Sequence, residues 1–211
     1  MRGPLGEAVT MAFFRRESPL SQREANFLRE RVRQLIKDKS FTEGEYILAS
    51  GKTSDYYLDL KPTLFSPEGA NAVGELVLHE IQNTWVDYIG GLALGAVPLV
   101  SAITMLSYRF ASPLPGFIVR EKPKDHGTKK LIEGLAEGES LQGKRVIIVD
   151  DVTTHGGSAM KAINAARNDG AEVFLVLSVV DREEGAEDFF RQQLIPFKWI
   201  FRASDFKSQP T

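Results

Sequence analysis

The feature that most constrains the fold is an alternation between continuously apolar segments and helical segments from residue 88 to residue 201. Strand-like segments cover 88–94, 116–120, 145–150, 173–180 and 197–201, and helix-like segments cover 97–108, 158–169 and 184–193. Strands that are apolar throughout are buried on both faces, which is typical of a parallel sheet covered by helices on each side. The pattern therefore predicts an α/β fold with a parallel sheet, whose ligands bind at the carboxyl ends of the strands.

The preceding part of the chain has a different character. Residues 21–39 place apolar side chains at helical spacing, and residues 67–83 predict a second helix with proline at its first turn. Between them, short β-like runs at 46–49 and 56–60 flank a polar turn and predict a hairpin. Residues 1–20 lack such patterning, and we expect them to form a disordered N-terminal extension.

The composition excludes several classes of function. The net charge of the 211-residue chain is −2, which gives no basic field for nucleic acid or an anionic membrane surface. The chain contains no cysteine, so disulfides and cysteine-based zinc sites are impossible and no oxidising compartment is indicated. No apolar run approaches the length that spans a bilayer. We therefore expect a cytoplasmic protein with small-molecule ligands and no nucleic-acid or membrane partner.

Two adjacent aspartates end one of the apolar segments, in the stretch VIIVDDVTTHGGS at residues 146–158. The glycines and hydroxyl side chains that follow open a helix, whose outward N–H groups and dipole favour an anion such as phosphate. Asp150 and Asp151 cannot bind phosphate, but they suit the hydroxyl groups of a sugar or the water shell of a metal. A ribose phosphate satisfies both halves. The alternative is a plain strand-to-helix turn in which Ser158 only caps the helix.

Two further stretches follow strand ends. Residues 120–130, REKPKDHGTKK, carry five cationic side chains and a histidine, which predicts a mobile loop that closes over a polyphosphate. The alternative is an ordinary solvated loop. Residues 90–98, GGLALGAVP, place small residues where a ligand reaches backbone amides, and close packing between helix and sheet explains them as well.

With these stretches in view, the chain resembles the type I phosphoribosyltransferases. The stretch at 146–158 resembles the motif with which that superfamily binds 5-phosphoribosyl 1-pyrophosphate (PRPP). The stretch REKPKDHGTKKLIEG resembles the catalytic loop of the orotate phosphoribosyltransferases. The similarity extends over about residues 40–206 and includes SGKTSDYYLDL, GGLALGAVPL, VVDREEGA and FRASDF.

The resemblance implies a role for each matching residue. PRPP would be bound by Arg120, Lys122, Lys124, His126, Asp150, Asp151, Val152, Thr153, Thr154, His155, Gly156, Gly157 and Ser158. Four of these would be catalytic, namely Lys124 and His126 at the leaving pyrophosphate and Asp150 and Asp151 at the ribose hydroxyls. Thr154 and Arg182 would contact orotate, with the guanidinium of Arg182 paired to the carboxylate.

The resemblance also implies a cofactor, an assembly and a domain plan. Mg²⁺ would bind mainly through PRPP and water, with no protein metal ligands. The protein would be a homodimer in which each catalytic loop serves the neighbouring subunit. One phosphoribosyltransferase domain would span residues 21–211, with a core at about 66–181. A small subdomain called the hood would consist of residues 21–65 and the C-terminal segment.

The implied reaction transfers the 5-phosphoribosyl group from PRPP to orotate, in pyrimidine (UMP) biosynthesis. Two alternatives stay open, a transferase for another base and a non-enzymatic PRPP sensor on the same fold. The chain also departs from the family pattern. Glu121-Lys122 stands where Lys-Glu is usual, Ala49 and Gly95 stand where some members carry lysine, and His155 replaces a small residue.

Overall fold

A six-stranded sheet forms the centre of the computed structural model, which describes residues 20–47, 51, 53–123 and 131–208. The strands are β1 (Phe41–Ile47), β2 (Thr53–Leu58), β3 (Tyr88–Leu92), β4 (Gly116–Val119), β5 (Ile132–Glu133), β6 (Arg145–Thr153), β7 (Glu172–Asp181) and β8 (Phe197–Arg202). The helices are α1 (Gln22–Lys39), α2 (Lys61–Leu64), α3 (Pro67–Glu80), α4 (Ala96–Arg109), α5 (Gly157–Asn168) and α6 (Ala186–Gln192), followed by a 3₁₀ turn at Ala203–Asp205. No helix in these ranges is both long and apolar enough to cross a bilayer.

The order of the large sheet is β5-β4-β3-β6-β7-β8, and β1 and β2 form a separate antiparallel pair. All pairings in the large sheet are parallel except that of β4 with β5. Successive residues of β6 point to opposite faces of the sheet, and both sets are buried, so helices cover both faces. Ile147 and Val149 pack in the cluster that includes α1, α3 and α4, whereas Val146 and Ile148 pack against α5. The predicted α/β fold is confirmed.

The structure corrects three details of the predicted elements. β6 continues to Thr153, beyond the predicted end at Asp150, so Asp151 lies within the strand as well. The polar stretch at 121–140 contains β5, an antiparallel edge strand of two residues, so the sheet is not wholly parallel. The first arm of the hairpin begins at Phe41, because its residues pair with β2 from Phe41↔Leu58 onwards.

The hairpin of β1 and β2 packs against the C-terminal segment. The Phe41 ring lies 5.3 Å from the Tyr56 ring and 5.7 Å from the Phe206 ring. The Lys207 ammonium donates to Asp55, and Ser208 donates to Glu43. These contacts join the hairpin to the C-terminal segment, but the hood and core boundaries stay predictions. Apart from Leu20, the predicted N-terminal extension lies outside the described residues.

The packing of β3 against β4 yields a stability prediction. Gly90 pairs with Phe117, and a Cβ atom on Gly90 would lie only 2.4 Å from the buried Phe117 ring. Gly90→Ala should therefore lower the free energy of unfolding by about 1–3 kcal/mol through overpacking. Urea denaturation measures the change. Gly157→Ala is the matched control, since no atom lies within 4 Å of its Cβ position. Equal stability of the two variants would contradict the prediction.

Candidate active site

The two aspartates of β6 are buried carboxylates at the carboxyl edge of the sheet. Asp150 is 7% exposed and Asp151 9% exposed. Burial, followed by the charge of Asp151, raises the pKa of Asp150 to about 7, although the Thr153 hydroxyl donates to Asp150 Oδ2 at 3.0 Å. Burial also raises the pKa of Asp151, against the opposing hydrogen bond from the Val152 backbone and the charge of Lys61. Two such carboxylates favour hydrogen-bond donors or a cation that enters the site.

The residues after β6 form a short loop that leads into α5. Gly156 has φ = 85° and stands directly before the first helical residue. A Cβ atom there would meet the Phe190 ring at 2.7 Å, so both the backbone angle and the packing require glycine. Thr154, His155, Gly157 and Ser158 are exposed, whereas Thr153 is buried.

No side chain in the described ranges caps the N-terminus of α5. The interpretation of Ser158 as a simple helix cap is therefore wrong. Helix-terminal N–H groups without a side-chain acceptor attract anions, and the helix dipole adds to that attraction. The loop at residues 153–158 is consequently a candidate phosphate site, placed directly after the two carboxylates.

The small residues at the end of β3 and just before α4 are explained by close packing. A Cβ atom on Gly91 would lie 2.4 Å from the Val149 carbonyl oxygen, and one on Gly95 would lie 2.4 Å from Asp151 Oδ1. The structure therefore favours the packing interpretation of these glycines. A side chain at position 95 would require the Asp151 carboxylate to shift from its position in this arrangement.

Arg182 lies in a cavity of about 590 Å³ beside the loop, lined by Thr53, Ser54, Asp55, Tyr56, His155, Arg182 and Glu184. Its side chain is 9% exposed, and its guanidinium carbon lies 4.8 Å from the centre of the Tyr56 ring. The Arg182 backbone N–H donates to the Thr153 carbonyl at 2.9 Å. That bond places a guanidinium, which suits a planar carboxylate, next to the candidate phosphate loop.

The structure places only the first part of the basic loop. Arg120 and Lys122 are exposed after β4, and an Arg120 guanidinium nitrogen lies 3.6 Å from a Glu133 carboxylate oxygen. Lys124 and His126 lie outside the described residues. Their proposed contacts with pyrophosphate stay predictions.

Three residues beside the site were not assigned a role by the sequence. Tyr56 stacks under Arg182, Glu184 pairs with Arg182, and Lys61 lies close enough to lower the pKa of Asp151. The sequence did contain a signal for Glu184, because an acidic residue two positions after Arg182 can form an ion pair with it. Tyr56 and Lys61 gave no such signal, because only the tertiary structure brings β2 and α2 to the edge of the large sheet.

The chain matches known proteins over most of its length. A family model described as the phosphoribosyl transferase domain matches residues 65–210. The orotate phosphoribosyltransferase of Rhodopseudomonas palustris (strain BisB5) is 53% identical over 178 residues, which are 84% of this chain and 95% of that protein.

Solved structures agree with this match. Orotate phosphoribosyltransferase from Mycobacterium tuberculosis H37Rv in complex with Fe(III) dicitrate is similar with a TM-score of 0.75 and 31% identity, over 86% of this chain and 99% of that one. The same enzyme in complex with PRPP has a TM-score of 0.70 and 29% identity, over 85% and 98%. The family match, the identity to curated relatives and the placement of the aspartate pair beside a phosphate loop lead to one conclusion: this chain belongs to the phosphoribosyltransferase family, and within it to the orotate phosphoribosyltransferases.

Proposed function

We propose that this protein transfers the 5-phosphoribosyl group of PRPP to a ring nitrogen of orotate, giving orotidine 5′-phosphate and pyrophosphate in pyrimidine biosynthesis. The observation that carries the proposal is the backbone hydrogen bond from Arg182 to the Thr153 carbonyl. It joins a buried guanidinium, suited to a carboxylate, to a loop suited to a phosphate. A nucleotide product with a carboxylated base spans these two groups.

The aspartate pair and the loop supply the PRPP half of the site. Asp150 and Asp151 are acceptors for the ribose hydroxyl groups, and residues 152–158 surround the 5-phosphate. The exposed Thr154, His155 and Ser158 add side-chain donors to the N–H groups of the α5 terminus. This arrangement fixes the ribose in position before the reaction, which lowers the entropic part of the barrier.

Arg182 and the hairpin supply the orotate half. A guanidinium forms two parallel hydrogen bonds with a carboxylate, so it selects a base that carries one. The Tyr56 ring under Arg182 limits the directions in which the guanidinium points. Thr154, at the junction of the two halves, is the proposed second contact to orotate.

The leaving pyrophosphate is assigned to the basic loop. As the bond from C1 of the ribose to pyrophosphate breaks, positive charge develops on the sugar and negative charge on the leaving group. Lys124 and His126 are proposed to neutralise that negative charge, with Arg120 and Lys122 as further donors from the same loop. The loop must open again for product release.

Mg²⁺ fits the site as a companion of PRPP. No group of three or more His, Cys, Asp or Glu side chains in the described ranges could hold a metal ion. Asp150 and Asp151 are nevertheless buried carboxylates with raised pKa values, which a nearby dication or its water shell would stabilise in the charged form. We therefore assign Mg²⁺ to the phosphate oxygens of PRPP and to water. When bound, it supplies charge neutralisation at the pyrophosphate.

The activity is tested by orotate consumption with PRPP and Mg²⁺, in parallel with adenine, hypoxanthine and uracil. The proposal expects turnover with orotate and at least 100-fold lower turnover with each other base, because only orotate engages Arg182 with a carboxylate. Preferred turnover of a purine would show a transferase for another base. Binding of PRPP without turnover of any base would show a sensor.

Arg182→Ala should weaken orotate binding by roughly 2–4 kcal/mol, since a carboxylate in a buried site loses its charged partner. Calorimetry with orotate measures the change, and the affinity for PRPP should stay nearly the same. Arg191→Ala on the exposed face of α6 is the control for loss of one arginine. Unaltered orotate affinity in Arg182→Ala would refute the assignment.

Asp150→Asn should make the protein inactive but more stable at pH 8. The pKa of Asp150 is about 7 when folded, against about 3.9 in an unfolded chain. Between these pKa values Asp150 is protonated in the folded protein but ionised in the unfolded chain. The free energy of unfolding therefore falls as the pH rises from about 4 to 7. Asparagine does not ionise, so the free energy of unfolding of Asp150→Asn should exceed that of the wild type by about 1–4 kcal/mol at pH 8. The difference should vanish near pH 4.

Thermal unfolding without Mg²⁺ measures this effect at the two pH values. The exposed Asp188→Asn is the matched control and should show no difference that depends on pH in this way. A destabilised Asp150→Asn at pH 8 would show that the buried carboxylate has a compensating partner in the folded protein.

The proposed homodimer shares its sites between subunits, and mixing of variants tests this arrangement. Lys124→Ala and Asp151→Ala should each be nearly inactive. In heterodimers, one site carries both substitutions and the other carries neither. An equal mixture after subunit exchange should therefore recover about a quarter of the wild-type activity. No recovery, with exchange verified by native mass spectrometry, would mean that each subunit supplies its own loop.

A further inference from the structure

Glu184 forms an ion pair with Arg182, whose guanidinium is proposed to bind the carboxylate of orotate. Its Oε1 lies 2.8 Å from Arg182 Nε, and both side chains line the same cavity. The Arg182 side chain is 9% exposed, whereas the Glu184 side chain is 30% exposed. A carboxylate that belongs to the chain therefore already stands beside the place where a carboxylated substrate must bind.

The contact between the two side chains is short but poorly aligned. Within the described residues, Arg182 Nε has no hydrogen-bond partner, although the Glu184 oxygen is near it. The pair consequently gains Coulomb energy without a well-directed N–H···O bond. A buried N–H group in this state favours an acceptor that approaches in the plane of the guanidinium.

The second oxygen of Glu184 faces another basic group. His155 Nδ1 lies 3.9 Å from Glu184 Oε2, and the His155 side chain is 62% exposed. His155 belongs to the loop proposed to bind the 5-phosphate. Glu184 thus stands between Arg182 and His155, and its side chain is partly exposed to solvent.

We propose that Glu184 is an internal substitute for the carboxylate of the substrate, which orotate displaces from Arg182 when it binds. This inference rests on the proposed function and deepens it. Without substrate, Glu184 compensates a guanidinium that would be costly to leave buried and unpaired. When orotate binds, its better aligned carboxylate replaces that of Glu184 at the Arg182 guanidinium, and Glu184 turns towards His155 and solvent.

The exchange makes Glu184 a residue that adjusts specificity without touching the reacting atoms. A base without a carboxylate gains nothing from Arg182, so the internal ion pair stays in place. Binding of orotate forms a well-directed ion pair with Arg182, but it breaks the ion pair between Arg182 and Glu184. The affinity for orotate is therefore lower than an unoccupied Arg182 would give, while the affinity for a neutral base is unaffected.

The test uses Glu184→Gln in the full-length protein, with Glu183→Gln as the matched control. Glu183 is the adjacent residue in the same turn and accepts a hydrogen bond from the Ser204 backbone, so the control removes an equal charge one position away. Glu184→Gln should lower the KM for orotate about two- to fivefold, because a partly exposed ion pair contributes up to about 1 kcal/mol. The KM for PRPP and the inhibition by uracil should change less than twofold.

The two possible roles of Glu184 predict opposite results. If Glu184 instead orients Arg182 for substrate, the KM for orotate rises in Glu184→Gln and the proposal is overturned. An equal fall in Glu183→Gln overturns it too, because that result reflects only the general charge of the turn. Glu184→Ala should reproduce the fall in KM, and circular dichroism verifies that each variant is folded.

Calorimetry with orotate on the same proteins separates this proposal from the proposed function. Wild-type protein that binds no orotate and does not convert it would refute the function together with the exchange. Wild-type protein that converts orotate, with the same orotate affinity in Glu184→Gln, would refute only the exchange.

Discussion

The parallel pairing of β6 with β7 is the constraint on which the site depends. Its register places Asp150 opposite Ser178 and Thr153 opposite Asp181, so both strands end at the same edge. The next backbone bond, from Arg182 N–H to the Thr153 carbonyl, continues that ladder beyond the strands. Backbone hydrogen bonds therefore bring the aspartate pair, the candidate phosphate loop and the backbone of Arg182 together, while contacts with Tyr56 and Glu184 orient the Arg182 guanidinium. A shift in this register by one residue would turn each of these side chains to the opposite face.

The same packing that fixes the site also makes it electrostatically costly. Gly95 brings the start of α4 so close to Asp151 that a Cβ atom would touch its carboxylate oxygen. Exclusion of water from the two carboxylates is what raises the pKa of Asp150 to about 7. The ionised carboxylates therefore destabilise the folded protein, but they are good acceptors for hydrogen-bond donors of a substrate. Stability and binding are opposed at this point of the structure, as is common for functional sites.

Much of this arrangement could be predicted from the sequence, and the remainder was hidden for physical reasons. The apolar runs around residues 145–150 and 173–180 predicted two strands of a parallel sheet, and strand ends in such a sheet indicate where ligands bind. The continuation of β6 beyond Asp150 to Thr153 was not predictable, because charged residues ordinarily end a buried strand. β5 is too short to give a periodic signal. The position of Tyr56 under Arg182 depends on contacts between distant parts of the chain, which local patterns do not encode.

The two halves of the site have different origins in the chain, and this difference bears on specificity. The phosphate loop and the aspartate pair lie inside residues 65–210, which match the general phosphoribosyl transferase model. Part of the wall around Arg182 comes from Thr53, Ser54, Asp55 and Tyr56, which precede that match. The hairpin is held in place by the C-terminal segment, where Lys207 pairs with Asp55 and lies over the Tyr56 ring. The proposed sugar-phosphate half thus lies within the matched range, whereas the hairpin, which precedes that range, supplies part of the wall that is proposed to face the base. On the proposed division, we expect substitutions in the hairpin and in the turn at Glu184 to alter the choice of base while the binding of PRPP stays intact.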